Sequence, residues 1–244
     1  MIKSMCRLIK YDFIVFFREP FFAFPILVLP GVFFFVFMSI FERQIGSSEG
    51  FGEYIPIYAL LISFLILFFN IGLQYVTEKE RGIHKRLTMS SITTYHIVGT
   101  YVFRGVILSF VGFIEILVIG SLVFDATITN NLPLFILTFL LIIGVTLLFS
   151  LSTHNLFKNS KQVLPFTIIM FQYVLFCSGL MFPVEAIPEY LRFLVYINPF
   201  YHMNDLLQAV WGEISIDMIS VYYLILVVFL CLCLIMVKNR RKEA

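Results

Sequence analysis

The sequence predicts an all-α integral membrane protein, and two observations carry that prediction. Of the 244 residues, 60% are apolar and only 13% are charged, whereas soluble domains carry about a quarter charged residues. Six apolar stretches are also long enough to cross about 30 Å of hydrocarbon as helices. Helix is favoured over strand because an open strand leaves its backbone polar groups unsatisfied in lipid.

The predicted spans form one membrane domain, which a short N-terminal segment precedes. The spans are Phe21–Ile40, Tyr54–Val76, Ile97–Phe124, Leu132–Leu151, Val163–Phe182 and Ile219–Val237. Residues 1–19 precede them and repeat apolar residues at helical spacing, with Lys3, Arg7 and Lys10 on the other side. This pattern predicts an amphipathic helix in the membrane interface, followed by a membrane domain over residues 20–244.

Lysine and arginine predict the orientation. With the N-terminus inside, fifteen of the 17 basic residues fall in cytoplasmic segments and only Arg43 and Arg192 fall outside. Because basic residues concentrate on the cytoplasmic side and the span number is even, we expect both termini in the cytoplasm. Arg104 lies inside the third span, where we expect its side chain to snorkel to the cytoplasm.

The loop over residues 77–95 contains the chain's densest run of charge, EKERGIHKRL. Orientation explains its basic residues. It does not explain Glu78 and Glu80, because acidic residues contribute little to topology.

The segment over residues 183–212, between spans five and six, is too apolar for a solvated loop. Prolines break it into pieces, and charged residues prevent a seventh span. We expect short extracellular helices that dip back into the outer leaflet, a re-entrant arrangement that requires cover by protein or a water-filled cavity.

Two motifs, together with this layout, resemble ABC-2 type permeases, the membrane half of bacterial ATP-binding-cassette exporters. One motif is E-x-E-R-G, formed here by Glu78, Glu80, Arg81 and Gly82. The other is S-G-L-x-F-P…I-P…N-P-x-Y, formed by Ser178, Gly179, Leu180, Phe182, Pro183, Pro188, Asn198, Pro199 and Tyr201. The stretch Ser178–Met181 also resembles the hydrophobic valve of eukaryotic G-subfamily half-transporters, with Leu180 as the first leucine and Met181 in place of the second.

The resemblance implies a permease in the bacterial cytoplasmic membrane that works as a homodimer or heterodimer. It also implies two separate ABC ATPase subunits that bind ATP and magnesium. The chain has no G-x-x-x-x-G-K-[ST] phosphate loop, so we expect no ATPase activity, catalytic residue or cofactor in the chain itself.

Three sets of candidate site residues follow from the resemblance. The expected ATPase-coupling set is Glu78, Lys79, Glu80, Arg81, Gly82, His84, Lys85, Arg86, Lys158 and Lys161. The expected translocation path is Phe64, Phe68, Asn70, Phe171, Tyr173 and Phe176. The expected outer valve is Leu180 with Met181, ahead of a re-entrant segment marked by Pro183, Pro188, Asn198, Pro199 and Tyr201.

The aromatic path favours hydrophobic or amphipathic cargo: a drug, an antimicrobial or toxin peptide, or a lipid. Polysaccharide export remains an alternative, since aromatic rings also stack on sugars. An ion-coupled secondary transporter would show inverted repeats and paired intramembrane charges, and a membrane hydrolase would show clustered catalytic groups; the sequence shows neither. Cysteine and histidine spacing predicts no metal site, and no basic aromatic patch indicates nucleic acid. Glu115, the only carboxylate deep in a span, is expected to be structural.

Overall fold

The computed structural model describes residues 2–18, 20–45, 51–89, 92–180, 184 and 187–243. This part of the chain is helical and contains no β-strand. Its α-helices are α1 (Ile2–Arg18), α2 (Pro20–Ile45), α3 (Tyr54–Phe64), α4 (Gly72–Glu80), α5 (Ile83–Met89), α6 (Thr94–Val123), α7 (Leu132–His154), α8 (Ser160–Cys177), α9 (Arg192–Tyr196), α10 (Pro199–Trp211) and α11 (Met218–Glu243).

Within the described residues, five helical stretches are long and apolar enough to cross a membrane. They are Phe51–Glu80, Tyr95–Val123, Leu132–His154, Ser160–Cys177 and Met218–Lys238. The first predicted span lies within α2, whose described apolar stretch, Pro30–Ile40, is shorter. The six-span count therefore stays a prediction, while the other five predicted spans coincide with long apolar helices.

The second predicted span is the central helix of the bundle. Of its most apolar 18 residues, 89% are buried inside the chain, against 17% for the corresponding stretch of α8. Between α3 and α4 it widens into a π-helix over Leu65–Ile71. There the hydroxyl of Ser150 on α7 donates a hydrogen bond of 2.8 Å to the carbonyl of Leu67. π-helical turns inside α-helices are rare in proteins, and those that occur are often found at functional sites.

Directly after the π-helix, α7 approaches the central helix closely. A Cβ placed on Gly72 would lie 2.5 Å from the imidazole of His154, so only glycine allows this contact. The His154 ring is fully buried, and its Nδ1 lies 2.9 Å from the carbonyl oxygen of Ser150. Its Nε2 lies 3.2 Å from the hydroxyl of Thr167 on α8. The imidazole therefore links α7 and α8 beside the central helix.

The predicted N-terminal helix is present as α1 and packs against α6 and α2. Phe16 is buried there, whereas Tyr11 and Phe17 are exposed. Asp12 is also buried, although the surrounding spacing predicts an apolar face.

The segment between α8 and α11 folds into short helices, as expected from its prolines. A 3-10 turn over Glu189–Leu191 leads into α9, and Pro199 occupies the first turn of α10. The buried side chain of Asn198 accepts a hydrogen bond from the Phe200 N–H at 3.0 Å and donates one to the Cys177 carbonyl at 2.9 Å. One amide thus caps α10 and ties it to the end of α8. The depth of this segment in the membrane remains a prediction.

Candidate functional site

The E-x-E-R-G motif forms a tight helical hairpin between α4 and α5. The Arg81 N–H bonds to the Thr77 carbonyl, and the Gly82 N–H bonds to the Lys79 carbonyl. Gly82 has a φ of 71°, the left-handed conformation that glycine commonly supplies at the end of a helix. No atom lies within 4 Å of a Cβ placed there, so backbone conformation rather than space favours glycine.

The first glutamate of the motif points inward and joins three helices. Glu78 accepts hydrogen bonds from the Tyr101 hydroxyl on α6 at 2.5 Å and from the Gln74 amide on its own helix at 2.6 Å. His84 on α5 lies 3.3 Å from the same carboxylate and 3.0 Å from the Tyr101 hydroxyl. The position of α5 is therefore fixed by a side chain of the central helix and by α6.

A buried ion pair extends this cluster to α1. Arg104 on α6 is only 1% exposed and lies 2.9 Å from the carboxylate of Asp12. Its second terminal nitrogen donates to the Gln74 side-chain oxygen at 2.6 Å. Burial raises the pKa of the Asp12 carboxyl, and the Arg104 guanidinium opposes that rise.

The prediction that Arg104 snorkels to the cytoplasm is wrong. A buried charge needs a partner, and Asp12, 92 residues away in the sequence, supplies it.

The second glutamate of the motif contacts a different helix. The Glu80 carboxylate accepts hydrogen bonds from the backbone N–H of Ser160 at 2.8 Å and from its hydroxyl at 2.5 Å. Ser160 is the first residue of α8, so a carboxylate lies at a helix N-terminus, where unpaired N–H groups and the helix dipole favour negative charge. The two glutamates thus connect the hairpin to opposite neighbours, α6 on one side and α8 on the other.

Asn155, just after α7, completes the connections of α4. Its side-chain oxygen accepts hydrogen bonds from the Lys79 ammonium at 2.7 Å and from the Tyr75 hydroxyl at 3.1 Å. The base cluster, as we name it, therefore comprises Asp12, Gln74, Tyr75, Glu78, Lys79, Glu80, His84, Tyr101, Arg104, Asn155 and Ser160. It joins α1, α4, α5, α6, α7 and α8 at one end of the bundle.

The basic residues of the motif point outward instead. Arg81, Lys85 and Arg86 are exposed, as are Lys158 and Lys161 beside the start of α8. Two apolar side chains that sequence reasoning missed, Met89 and Tyr95, flank the hairpin and are each 88% exposed. We name the surface formed by Arg81, Lys85, Arg86, Met89 and Tyr95 the hairpin surface.

The expected path residues divide into two groups. Phe64, Phe68 and Asn70 are buried inside the chain rather than exposed on a face. The rings of Phe64 and Phe68 stack at 5.0 Å, and Phe64 also stacks on Phe171 of α8 at 6.3 Å. Contact between cargo and this group requires α3 and α8 to separate, so its role in a path stays a prediction.

The rest of the path set lies on α8. Tyr173 is half-buried and its hydroxyl donates to the Leu194 carbonyl at 2.7 Å, while Phe176 is 44% exposed. Leu180 is half-buried and packs against the core, whereas its proposed valve partner Met181 and the following Pro183 lie outside the described residues.

The remaining marked residues of the outer segment differ in exposure. Pro188 is exposed at the start of the 3-10 turn. Tyr201 is half-buried, with its ring edge-on to His202 at 5.1 Å. Glu115 lies in mid-span against α2, where a Cβ on Gly31 would approach its carboxyl oxygen to 2.2 Å.

Sequence reasoning found the motif but not its partners. Asp12 carried one signal, an acidic residue inside the apolar stripe of an amphipathic helix. Gln74, Asn155 and Ser160 carried none, because their roles depend on helices that are distant in the sequence.

Comparison with known proteins gives the family of the chain. The model of the ABC-2 type transporter family matches residues 3–211. The chain belongs to the ABC-2 type transporter family. Its apolar helices and this family together make it a multi-pass membrane protein.

Curated relatives in this comparison come from Escherichia coli. The probable multidrug ABC transporter permease YbhR of strain K12 is 28% identical over 166 residues, and the protein of that name in O157:H7 matches equally. The match covers 64% of this chain and 45% of each relative. The aligned part is therefore less than half the length of the curated relatives.

Proposed function

We propose that this chain is the permease subunit of an ATP-driven exporter in a bacterial cytoplasmic membrane, with both termini in the cytoplasm. It works as a dimer with a second permease chain and two ABC ATPase subunits, which bind ATP and magnesium. The observation that carries the proposal is the hairpin of α4 and α5, in a chain that belongs to this family. The outer side of the hairpin is exposed and basic, and its inner side is hydrogen-bonded to the neighbouring helices. That arrangement suits a lever between an external motor and the transmembrane helices.

The hairpin surface is the proposed contact with the ATPase. Its three basic side chains are free to pair with acidic groups of a partner, and charge complementarity of this kind governs specificity and association rate. Met89 and Tyr95 add apolar area that would be buried on docking. Lys158 and Lys161 supply a second, smaller contact.

The base cluster is the proposed transmission element. A force on α5 passes through His84 and Glu78 to α4 and α6, and through Glu80 to the start of α8. Because α8 ends where Cys177 meets Asn198, motion at its start also reaches the opposite end of the bundle.

We propose that cargo passes between the central helix and α8 of two paired chains. Phe64, Phe68 and Asn70 become accessible when these helices separate, and Phe171, Tyr173 and Phe176 line the other side. The aromatic surface favours a hydrophobic or amphipathic cargo. The name of the E. coli relative, a probable multidrug permease, supports a drug-like cargo.

Leu180 and Met181 are the proposed outer valve. Residues near a two-fold axis meet their own copies, so two leucines and two methionines would form an apolar constriction that excludes water. Replacing both residues with alanine is expected to raise ATP hydrolysis without a matching rise in transport. A dimer structure with the two Leu180 side chains far apart and facing lipid would contradict the valve.

The test is reconstitution with candidate ABC ATPases in proteoliposomes. The isolated chain is expected to hydrolyse no ATP, and the complex is expected to hydrolyse ATP and to transport a lipophilic dye. Combining Arg81→Glu with Lys85→Glu should reduce ATPase capture by at least about tenfold, because like charges would face the partner. Glu189→Lys, a charge reversal on an exposed residue at the opposite end, is the control and should leave capture unchanged.

Unchanged capture by the double variant would overturn the hairpin surface as the contact. ATP hydrolysis by the purified chain without any partner would overturn the proposal that a separate subunit hydrolyses ATP.

A further inference from the structure

Three side chains at the end of the bundle opposite α5 form a continuous chain of polar contacts. The His202 Nε2 lies 2.9 Å from the Tyr196 carbonyl oxygen, and its Nδ1 lies 3.0 Å from the Ser220 hydroxyl. Ser220 in turn lies 2.8 Å from the carboxylate of Asp205. His202 is 4% exposed and Ser220 is 2% exposed, whereas Asp205 is half-buried, so water has little access to the contact between the histidine and the serine.

The number of hydrogens available for these contacts depends on the protonation state. A carbonyl oxygen only accepts, so the Nε2 of His202 carries a hydrogen. Ser220 has one hydroxyl hydrogen, but a neutral Nδ1 and an ionised Asp205 would both require it. When His202 is neutral and Asp205 is ionised, Ser220 can donate to only one of them. At its other contact, a lone pair of the serine oxygen faces a lone pair of the neighbour. One additional proton, on Nδ1 or on Asp205, turns every contact into a hydrogen bond.

The surroundings also suit an imidazolium. The ring of Tyr223 on α11 stacks on His202 with centroids 4.1 Å apart, and an aromatic face attracts a cation. The Tyr223 hydroxyl donates to the Ile197 carbonyl, which holds the stacked ring in place. Tyr201 lies edge-on to the imidazole from its own helix.

Other helices packed around α10 bring few ionisable groups. The α8 helix places Tyr173 and Cys177 within electrostatic reach of each other, and Tyr173 within reach of Tyr223. The α3 helix carries Tyr54 and Tyr58, and the one ionisable residue of α7 lies at the far end of that helix. Among the described residues, the anionic group bonded into the chain of contacts is Asp205.

A hydrolytic role does not fit this order of side chains. In a serine hydrolase the histidine lies between the nucleophile and the carboxylate. Here Ser220 lies between His202 and Asp205, and it is buried.

We propose that His202, Ser220 and Asp205 form a site that binds one proton and, while it is bound, fastens α10 to α11. When the proton leaves, Ser220 satisfies only one neighbour and the junction loosens. The site is independent of the proposed export function, because neither an ATPase nor a cargo takes part. In the proposed orientation it responds to the pH outside the cell.

The test measures hydrogen–deuterium exchange of the whole chain in lipid nanodiscs between about pH 5 and 8, the range in which histidine commonly titrates. After correction for intrinsic exchange rates, amides of residues 196–223 should lose protection at least about fivefold as the pH rises, the effect of losing one buried hydrogen bond.

Asp205→Asn is the decisive variant. Its amide donates to the Ser220 hydroxyl, which then donates to a neutral Nδ1, so every contact is satisfied without the additional proton. Protection in this variant should be independent of pH. Asp217→Asn is the control, because Asp217 accepts from the Ile219 N–H outside the cluster, and it should retain the wild-type pH dependence.

Two results would overturn the proposal: wild-type protection that does not change with pH, or equal pH dependence in wild type and Asp205→Asn. A second measurement needs only the wild type. Trp211, the single tryptophan, ends α10 and packs edge-on against Phe135 at 4.8 Å. Its emission should shift over the same pH range, and a constant emission would also count against the site.

Discussion

The two ends of the helix bundle are held together by different chemistry. At the base, charged side chains cross between helices, and six helices meet in one cluster. At the opposite end, Asn198 caps a helix and bonds to a backbone carbonyl, and Asp205 acts through a serine. The buried pair of Asp12 and Arg104 is costly to break from one side, whereas the Asn198 amide fixes the start of α10 and its link to α8. We therefore expect the six helices of the base to move together and the helices at the opposite end to rearrange separately.

The largest expected effect comes from breaking the buried ion pair of the base cluster. Arg104→Met leaves the buried Asp12 without its cation and should lower the free energy of unfolding by about 3–5 kcal/mol. Thermal unfolding in detergent micelles measures the loss. Asp12→Leu combined with Arg104→Met removes both charges and should recover most of it, because no unpaired charge remains. Equal losses in the single and double variants would show that the pair does not act as a unit.

The next effect concerns the opposite end. Asn198→Ala removes the cap of α10 and the bond to the Cys177 carbonyl, and should cost about 1–3 kcal/mol in the same unfolding assay. Asn198→Ser keeps an acceptor for the Phe200 N–H but is too short to bond to the Cys177 carbonyl, so its cost should be smaller than that of alanine. If the two variants cost the same, the cap contributes nothing and only the link to α8 matters.

A smaller effect is expected at the turn of the hairpin. Gly82→Ala places a side chain on left-handed backbone and should cost about 1–2 kcal/mol. Gly82→Asn should cost less, because asparagine tolerates this conformation. An alanine variant as stable as the wild type would show that the hairpin relaxes to another turn.

Much of the fold follows from the sequence because lipid restricts the choices. Apolar length predicted the helices that coincide with five of the spans, and helical spacing predicted α1. The π-helix at Leu65–Ile71 had no such signal, since its residues are as apolar as their neighbours. Its position depends on Ser150 and on the close approach of His154 to Gly72, which belong to tertiary packing.

The candidate site was predicted less completely. The charge pattern identified Glu78 and Glu80 as residues that topology does not explain, but it gave no indication of their partners. Local patterns reveal which side chain is unusual, whereas the helix it contacts depends on the packed bundle. The same limit explains Arg104, whose partner Asp12 lies on a separate helix near the N-terminus.

Two proposed roles adjoin in the sequence. In the proposed complex, Arg81 faces outward to bind the ATPase, and Glu80 holds α8 to transmit its motion. Ser160→Ala removes the hydroxyl partner of Glu80 and leaves the hairpin surface unchanged. Its effect on unfolding should be the smallest of the series, because the pair is exposed.

The most direct measurement is therefore transport per ATP hydrolysed by the reconstituted complex, compared among wild type, Ser160→Ala, Glu80→Ala and their combination. We predict normal ATPase capture in all four and a reduced transport ratio in each single variant. We also predict no further reduction in the combination, because Glu80→Ala alone removes both hydrogen bonds to Ser160. Wild-type transport ratios in both single variants would contradict the claim that this contact carries the motion of the ATPase into the membrane.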